Sequence, residues 1–148
     1  MAGARSRNFS RAVNTMNRAL TDQSEIQELI EQWCAAVRRK DYNGILRRHS
    51  TNILMFDVPG PFQSEGIEAY RKTWDLFFGW MVDAVKFEFS DIRITAGTNV
   101  AFVTAHGHCY GPDDNGSPAP LDFRLTMGLR KIGGEWIIEH EHHSVPAT

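Results

Sequence analysis

The stretch that decides the fold is GEWIIEHEHHSVP, residues 134–146, close to the end of the chain. Successive side chains of a β-strand point to opposite faces of the sheet. The large apolar residues Trp136 and Ile138 are two positions apart, so they share a face that we expect to lie inside. Strict alternation then predicts His140 and His142 on the same inner face, and the opposite face carries Ile137, Glu139, Glu141 and His143.

Three more strands precede this one, which gives candidate strands over 85–95, 99–110, 121–132 and 135–143. The turn-rich segments 111–116 and 133–134 favour hairpins between them. In strand 99–110 the large residues Val100 and Phe102 define the expected inner face, and alternation extends that face to Thr104, His106, His108 and Tyr110. The polar face of strand 121–132 carries Asp122, Arg124, Thr126 and Arg130. We therefore predict an antiparallel meander that forms a pocket, with apolar side chains at its base and polar, titratable side chains at its opening.

Helical periodicity dominates the part of the chain before the strands. Apolar residues recur from Ile26 to Val37 at i, i+3, i+4 and i+7, and Asp22 with Glu25 has the spacing of a capping box that starts this helix. Asp41 is placed to cap a second, short helix, and Gly66 precedes a third. A short strand over 53–58 ends at the Pro-Gly-Pro turn. Helices followed by a meander predict an α+β fold in which a curved, cone-shaped antiparallel sheet wraps around the N-terminal helices.

The first 21 residues form a separate segment. Four arginines, Arg5, Arg7, Arg11 and Arg18, have no acidic residue among them. Phe9, Val13, Met16 and Leu20 fall at helical spacing. We expect a helical extension, residues 1–21, to a domain over 22–148, packed on that domain or on a second subunit. An organellar transit peptide is the alternative interpretation.

Composition narrows the class of partner. The net charge of −2 gives no basic excess, so we expect no nucleic-acid binding. No apolar run approaches the roughly 20 residues of a membrane span, so we expect no membrane partner. Cys34 and Cys109 have no CxxC spacing and lie in apolar-periodic segments, which predicts buried thiols and a reducing, cytoplasmic compartment.

Several short motifs occur in a fixed order from about residue 22 to the end of the chain. They are Trp33-x-x-Ala36, Lys40-Asp41, Phe56-Asp57-x-Pro59, Gly66-x-x-x-Tyr70-x-x-x-Trp74, Phe123-Arg124-x-Thr126 and Gly134-x-Trp136-x-Ile138-x-His140-x-His142-x-Ser144-x-Pro146. Together they resemble the SnoaL-like branch of the nuclear-transport-factor-2-like superfamily, to which the ketosteroid isomerases also belong. The resemblance implies a cone-shaped fold, frequent homodimers and a deep pocket. It also implies cofactor-free isomerase, polyketide cyclase or dehydratase chemistry.

The resemblance makes Asp57 the first candidate catalytic residue, because the isomerase and cyclase branches carry a general base at this position. Asp57 follows an apolar strand, so it is expected to be partly desolvated, which suits a base; alternatively, it caps the Pro-Gly turn. By the same alignment Trp33 replaces the oxyanion-hole tyrosine of the isomerases and Thr126 lies near their protonated acid, so 3-oxosteroid isomerisation is not expected. The other candidate catalytic residues are His106, His140 and His142, and the candidate substrate-binding residues are Arg124, His108, Trp33, Trp74, Tyr110 and Thr126.

Two other readings of the histidines stay open. His106-x-His108 and His140-x-His142 could converge as a zinc site, or as an iron site with Asp57, since adjacent strands lie about 4.8 Å apart. The four histidines could instead be solvent-exposed residues at the ends of strands, in a non-catalytic binding or dimerisation module. His49 and His143 are interpreted as surface or interface residues.

Overall fold

The computed structural model describes residues 3–148, with side chains from Arg5 onward. Ten elements follow each other along the chain, including one 3-10 turn, Ala84–Lys86. The helices are α1 (Gly3–Arg38), α2 (Tyr42–Leu46) and α3 (Ile67–Trp80); the strands are β1 (His49–Phe56), β2 (Ser64–Glu65), β3 (Glu88–Ala96), β4 (Val100–Pro112), β5 (Pro118–Ile132) and β6 (Glu135–Ser144). No helix of this described part is long and apolar enough to cross a membrane.

The longest helix, α1, runs through Asp22 without interruption, so the predicted start at Asp22 is wrong. Asp22 is buried and its carboxylate accepts hydrogen bonds from Lys131 Nζ at 2.7 Å and Trp136 Nε1 at 3.1 Å. These contacts tie α1 to the β5–β6 hairpin. The division into an extension over 1–21 and a domain over 22–148 stays a prediction.

The other two helix starts are as the sequence predicts. The Asp41 side chain accepts from the Gly44 backbone N–H at 3.2 Å and so caps α2. Gly66 precedes α3 with φ of 85°, a left-handed conformation that glycine adopts without steric cost.

The strands form one curved, unclosed sheet in the order β2-β1-β6-β5-β4-β3. The predicted fold class and the antiparallel meander β3–β6 are confirmed. The sequence did not indicate that β1 joins the sheet parallel to β6. The core lies between α1, α3 and the concave face of the sheet, and its members include Ile30, Trp33, Val37, Trp74, Val103, Leu125, Met127 and Ile138.

A β-bulge in β6 reverses the alternation on which the sequence prediction relied. Leu129 of β5 pairs with Ile138, and the next residue, Gly128, pairs with His140, so Glu139 is an extra residue. Trp136 and Ile138 point into the core before the bulge, and Glu141 and His143 do so after it. The prediction that His140 and His142 share the inner face is therefore wrong.

The face prediction for β4 is also wrong. The side chains of Val100 and Phe102 are 60% and 53% exposed, whereas the small residues of the alternate positions are buried. Those small residues leave room for aromatic rings from other elements: a Cβ at Gly107 would lie 2.2 Å from the Phe123 ring. His106, His108 and Tyr110 consequently lie on the outer face with Phe102.

Candidate active site

A cavity of about 660 Å³ opens between α3, the loop after β1 and the inner face of β4, β5 and β6. This volume is within the range of small-molecule sites. Most of the wall is apolar and much of it is aromatic. The lining residues include Met55, Val58, Pro59, Pro61, Trp74, Leu76, Phe77, Trp80, Phe87, Leu121 and Phe123, together with Asp57 and His143.

Asp57 and His143 are neighbouring titratable residues in this wall. Asp57 follows β1 directly, and its side chain is 23% exposed. Its Oδ1 atom accepts a hydrogen bond from the Val58 backbone N–H at 2.8 Å and lies 3.6 Å from His143 Nδ1. The Phe123 ring lies beside the imidazole, with the two ring centroids 5.3 Å apart. One carboxylate and one imidazole therefore meet at an apolar surface that a small molecule can reach.

Glu141 lies behind His143, on the side away from Asp57. Its side chain is completely buried. Its Oε2 atom is 3.3 Å from His143 Nε2, which is close enough for an ion pair, although the two groups are not aligned as a hydrogen bond. The imidazole thus lies between a solvent-accessible carboxylate and a buried one.

His49 and Tyr70 complete the buried cluster. His49 Nδ1 is 3.0 Å from the Arg47 carbonyl oxygen, which can only accept, so Nδ1 carries a proton. His49 Nε2 lies 2.7 Å from Glu141 Oε1, and the Tyr70 hydroxyl donates to the same oxygen at 2.8 Å. The interpretation of His49 and His143 as surface or interface residues is wrong, because both side chains are at most one tenth exposed within a single chain.

These surroundings decide the charge of Glu141. Burial by itself would raise the pKa of this carboxyl, but the contacts with His143 and His49 outweigh burial and lower the pKa to about 2. Burial, followed by the charge of Glu141, raises the pKa of Tyr70 well above its usual value, so Tyr70 is a neutral donor. The ionised Glu141 carboxylate therefore has the His49 ring and the Tyr70 hydroxyl on its Oε1 atom and His143 on its Oε2 side.

The four histidines proposed as a site from the sequence lie on the outer face of the sheet. His140 Nδ1 donates to the Leu54 carbonyl at 2.7 Å, and His106 Nδ1 lies 3.6 Å from Asp91 Oδ2. His142 is exposed and its ring packs edge-on against Phe56. Among residues 5–148, no group of three or more His, Cys, Asp and Glu side chains is arranged to hold a metal ion, so the alternative interpretation of these histidines as metal ligands is wrong.

His108 has a polar network of its own on that face. Its Nδ1 atom lies 2.8 Å from Asp122 Oδ1, and its Nε2 atom lies 2.7 Å from Ser90 Oγ. The connectivity is that of a Ser-His-Asp relay. However, the Asp122 side chain is 75% exposed and none of the three residues lines the cavity. Solvent therefore competes for each of these contacts.

The predicted substrate-binding residues divide between the two faces. Trp74 lines the cavity. Trp33 is buried in the core, where it stacks on Phe89 and does not line the cavity. Arg124, Thr126 and Tyr110 lie on the outer face, and Arg124 Nε donates to Ser144 Oγ at 3.1 Å. Arg124 therefore does not line the cavity, and its prediction as a substrate-binding residue of the pocket is wrong.

Sequence reasoning missed Glu141, His143, His49 and Tyr70 as one cluster. Glu141 and His143 would have emerged from the alternation had the bulge at Glu139 been recognised. His49 lies at the start of β1, and its neighbour Ile138 belongs to a strand that follows almost ninety residues later. No local pattern in the sequence predicts the pairing of β1 with β6.

Comparisons with known proteins agree with this architecture. The family model described as a SnoaL-like domain matches residues 26–148. A structure of an NTF2-like protein of unknown function from Pseudomonas putida KT2440 is 32% identical, with a TM-score of 0.77, and the match covers 87% of this chain and 89% of that chain. No curated protein sequence matches significantly.

Two more distant structures show the same fold. A protein of the NTF2-like family from Streptomyces avermitilis, which is ascribed a dehydratase activity, is 15% identical with a TM-score of 0.74, and the match covers 88% of this chain and 99% of that one. A protein from Novosphingobium aromaticivorans, ascribed scytalone dehydratase activity, is 13% identical with a TM-score of 0.75, and the match covers 89% of each chain. Fold and cavity together fit a protein that holds a small molecule.

Proposed function

Because the chain belongs to the SnoaL-like family, we propose that it is a small-molecule enzyme of the isomerase, cyclase or dehydratase type that works by acid–base chemistry without a cofactor. One observation carries this proposal: Asp57 and His143 lie side by side in the wall of an apolar cavity, with the buried anion Glu141 behind His143. Apolar walls and one convergent acid–base pair are the usual anatomy of such a site.

Asp57 is the general base in this proposal. The Val58 N–H fixes its Oδ1 atom, so the carboxylate is held at the cavity surface. A desolvated, oriented carboxylate is suited to taking a proton from a carbon next to a carbonyl group. His143 is the partner acid, the role that the sequence analysis gave to His106, His140 and His142.

A dehydration illustrates how the pair would work. Asp57 takes the proton from the carbon between the carbonyl and the hydroxyl-bearing carbon of a β-hydroxy carbonyl compound. The electrons of that C–H bond form the double bond, the C–O bond breaks, and His143 gives a proton to the departing oxygen, which leaves as water. Transfer of the proton from Asp57 to His143 restores both groups. Glu141 stabilises the imidazole of His143 in the steps in which it carries the extra proton, because the carboxylate of Glu141 stays ionised.

The lining favours a carbonyl-bearing or aromatic substrate. Trp74, Phe77, Trp80, Phe87 and Phe123 offer ring faces and edges along the cavity. Aromatic side chains bind flat, unsaturated molecules through stacked and edge-to-face contacts.

Solvent deuterium exchange tests the base without knowledge of the natural substrate. A panel of cyclic and aryl ketones is incubated with the protein in D₂O, and incorporation at the carbon next to the carbonyl is followed by proton NMR. We expect catalysed exchange for at least one ketone, and we expect Asp57→Asn to lower its rate by about 10²-fold or more, as loss of a general base does.

Asp114→Asn is the matched control, since Asp114 lies in the exposed turn between β4 and β5. This variant should exchange at the wild-type rate. Wild-type rates in Asp57→Asn, with unchanged circular dichroism, would remove Asp57 as the base.

Assembly and location are part of the same proposal. The homodimer implied by the family resemblance would protect apolar surface that one copy leaves exposed. Cys34 and Cys109 are free, buried thiols, which supports a cytoplasmic location.

A further inference from the structure

The N-terminal half of α1 extends beyond the domain as an exposed helix with an apolar stripe. The stripe consists of Phe9, Val13, Met16 and Leu20; Phe9 is 74% and Met16 66% exposed. Their spacing of four, three and four residues places them within about 60° on the helix surface, since each residue turns the helix by about 100°. A stripe this narrow is the a/d seam of a coiled coil rather than the broader face of a helix that packs on a domain.

The surroundings of this seam suit contact with another helix. The flanking positions hold Ser10, Ala12, Asn17 and Ala19, which are small or uncharged. Arg11 and Arg18 lie on the opposite side of the helix, so two seams can meet without bringing these like charges together.

The seam continues into an open groove of about 740 Å³ between α1 and β3. Leu20 belongs to both the seam and the groove. Beyond it the groove combines apolar side chains, Ile92 and Ile94, with two acids, Glu28 and Glu31. A basic, partly apolar helix would complement this surface.

Charge is segregated along the chain in a way that matches this groove. Residues 1–20 carry four arginines and no acid, whereas the other 12 Lys and Arg and all 18 Asp and Glu lie in residues 21–148. The segment that projects is therefore positive, and the remainder has a net charge of −6. Parallel pairing of two copies would place the negative domains side by side, and antiparallel pairing separates them.

We propose that the N-terminal half of α1 pairs antiparallel with the same segment of a second copy, and that its first turns lie in the second copy's α1–β3 groove. The two-fold axis passes between Asn14 and Thr15. Phe9 then packs on the partner's Leu20, Val13 packs on the partner's Met16, and Arg5 lies opposite the partner's Ser24, one helical turn before the partner's Glu28. This inference goes beyond the proposed acid–base chemistry and does not depend on it.

Sedimentation equilibrium on the full chain tests the seam. Wild type should be a dimer, and Met16→Glu should raise the dimer dissociation constant at least about tenfold, because it places a charge in the apolar seam. Asn14→Glu makes the same change of charge off the seam and should stay within about twofold of wild type. Both variants should keep the far-ultraviolet circular dichroism and melting temperature of a folded domain.

Cysteine cross-linking tests the direction of pairing. In an antiparallel pair, an equimolar mixture of Val13→Cys and Met16→Cys should give a disulfide-linked heterodimer, and Val13→Cys alone should give little product. The native thiols do not interfere, because Cys34 and Cys109 are 5% and 1% exposed. Arg11→Cys, on the far side of the helix, is the control that should remain uncrosslinked.

Four results would overturn the proposal. The first is a wild-type chain that stays monomeric. The second is a dimer whose dissociation constant is unchanged by Met16→Glu, which would indicate that the dimer forms through another surface, such as the outer face of the sheet. The third is efficient linkage of Val13→Cys to itself, which would indicate a parallel pair. The fourth is a monomer that binds vesicles containing phosphatidylserine through the same stripe, which would make the helix a membrane anchor.

Discussion

Glu141 keeps a negative charge in the interior because His49, Tyr70 and His143 surround its carboxylate. Its pKa falls from the ordinary 4.5 to about 2 in the folded chain. A carboxyl whose pKa is lower in the folded state stabilises the fold above the unfolded value, and this stabilisation is lost as the pH falls through the folded value. The contribution is about 3 kcal/mol, and it should disappear between about pH 4.5 and pH 2.

Glu141→Gln should therefore destabilise the protein by about 3 kcal/mol at pH 7, because it removes the buried carboxylate that the contacts with His143 and His49 stabilise. The difference from wild type should shrink between pH 4.5 and pH 3, because Glu141 of the unfolded wild-type chain takes up a proton in this range while the folded chain keeps the carboxylate. Urea unfolding at pH 7, 4 and 3 measures this difference. Glu139→Gln is the control, since Glu139 forms a surface ion pair with Arg130. A stability difference between wild type and Glu141→Gln that does not change with pH would contradict a negatively charged Glu141.

Single residues also set the limit of what the sequence could predict about the site. The family resemblance makes Asp57 a candidate through the local motif Phe56-Asp57-x-Pro59, and Asp57 does line the cavity. His143 was assigned to the wrong face, because the bulge at Glu139 depends on how β6 pairs with β5. A histidine that contacts a carboxylate 92 positions further on, as His49 does, has no signature in its own neighbourhood.

At the scale of elements, β4 shows why large and small residues are a weak guide to the inside of a sheet. Its inner face is built from small residues because aromatic rings of other elements cover it. A Cβ at Gly107 would lie 2.2 Å from the ring of Phe123, and a Cβ at Gly111 would lie 1.9 Å from the ring of Trp80. The residue sizes on one strand are thus set by neighbours that come from α3 and β5.

The two glycines provide a matched pair of substitutions on one strand face. Phe123 is buried and cannot move without repacking the core, so Gly107→Ala should destabilise the fold by about 1 to 3 kcal/mol. Trp80 is 40% exposed and can swing toward solvent, so Gly111→Ala should cost less than about 1 kcal/mol. Urea unfolding of the two variants compares them directly, and equal losses would show that the Trp80 ring is held as firmly as Phe123.

For the whole molecule, the fold was predictable because it follows from features that repeat along the chain. The helical periodicity of residues 26–37 and the alternation in three long strands each involve many residues, so one error of phase does not alter the architecture. The cavity was predictable as a consequence of the curved sheet. The presence of His143 in its wall was not predictable, because it depends on the phase of β6 at a single residue.

The cavity as a whole should prefer neutral ligands to anionic ones. Among its described lining residues no Lys or Arg is present; the wall carries the Asp57 carboxylate, and His143 already faces Glu141. Burying a second carboxylate there costs free energy, because the His143 ring already lies between the carboxylates of Asp57 and Glu141. We expect 2-naphthol to bind at least about tenfold more tightly than 2-naphthoate, which corresponds to about 1.4 kcal/mol.

Quenching of tryptophan fluorescence measures both affinities, because Trp74 and Trp80 lie in the cavity wall. The variant Trp80→Phe shows how much of the fluorescence quenching comes from Trp80 and how much from the other tryptophans. In Asp57→Asn the ratio of the two affinities should fall, because the carboxylate of 2-naphthoate is no longer repelled by the carboxylate of Asp57. Equal or tighter binding of 2-naphthoate to the wild type would contradict this expectation. It would mean that His143 interacts with the bound anion more strongly than with the Glu141 carboxylate behind it.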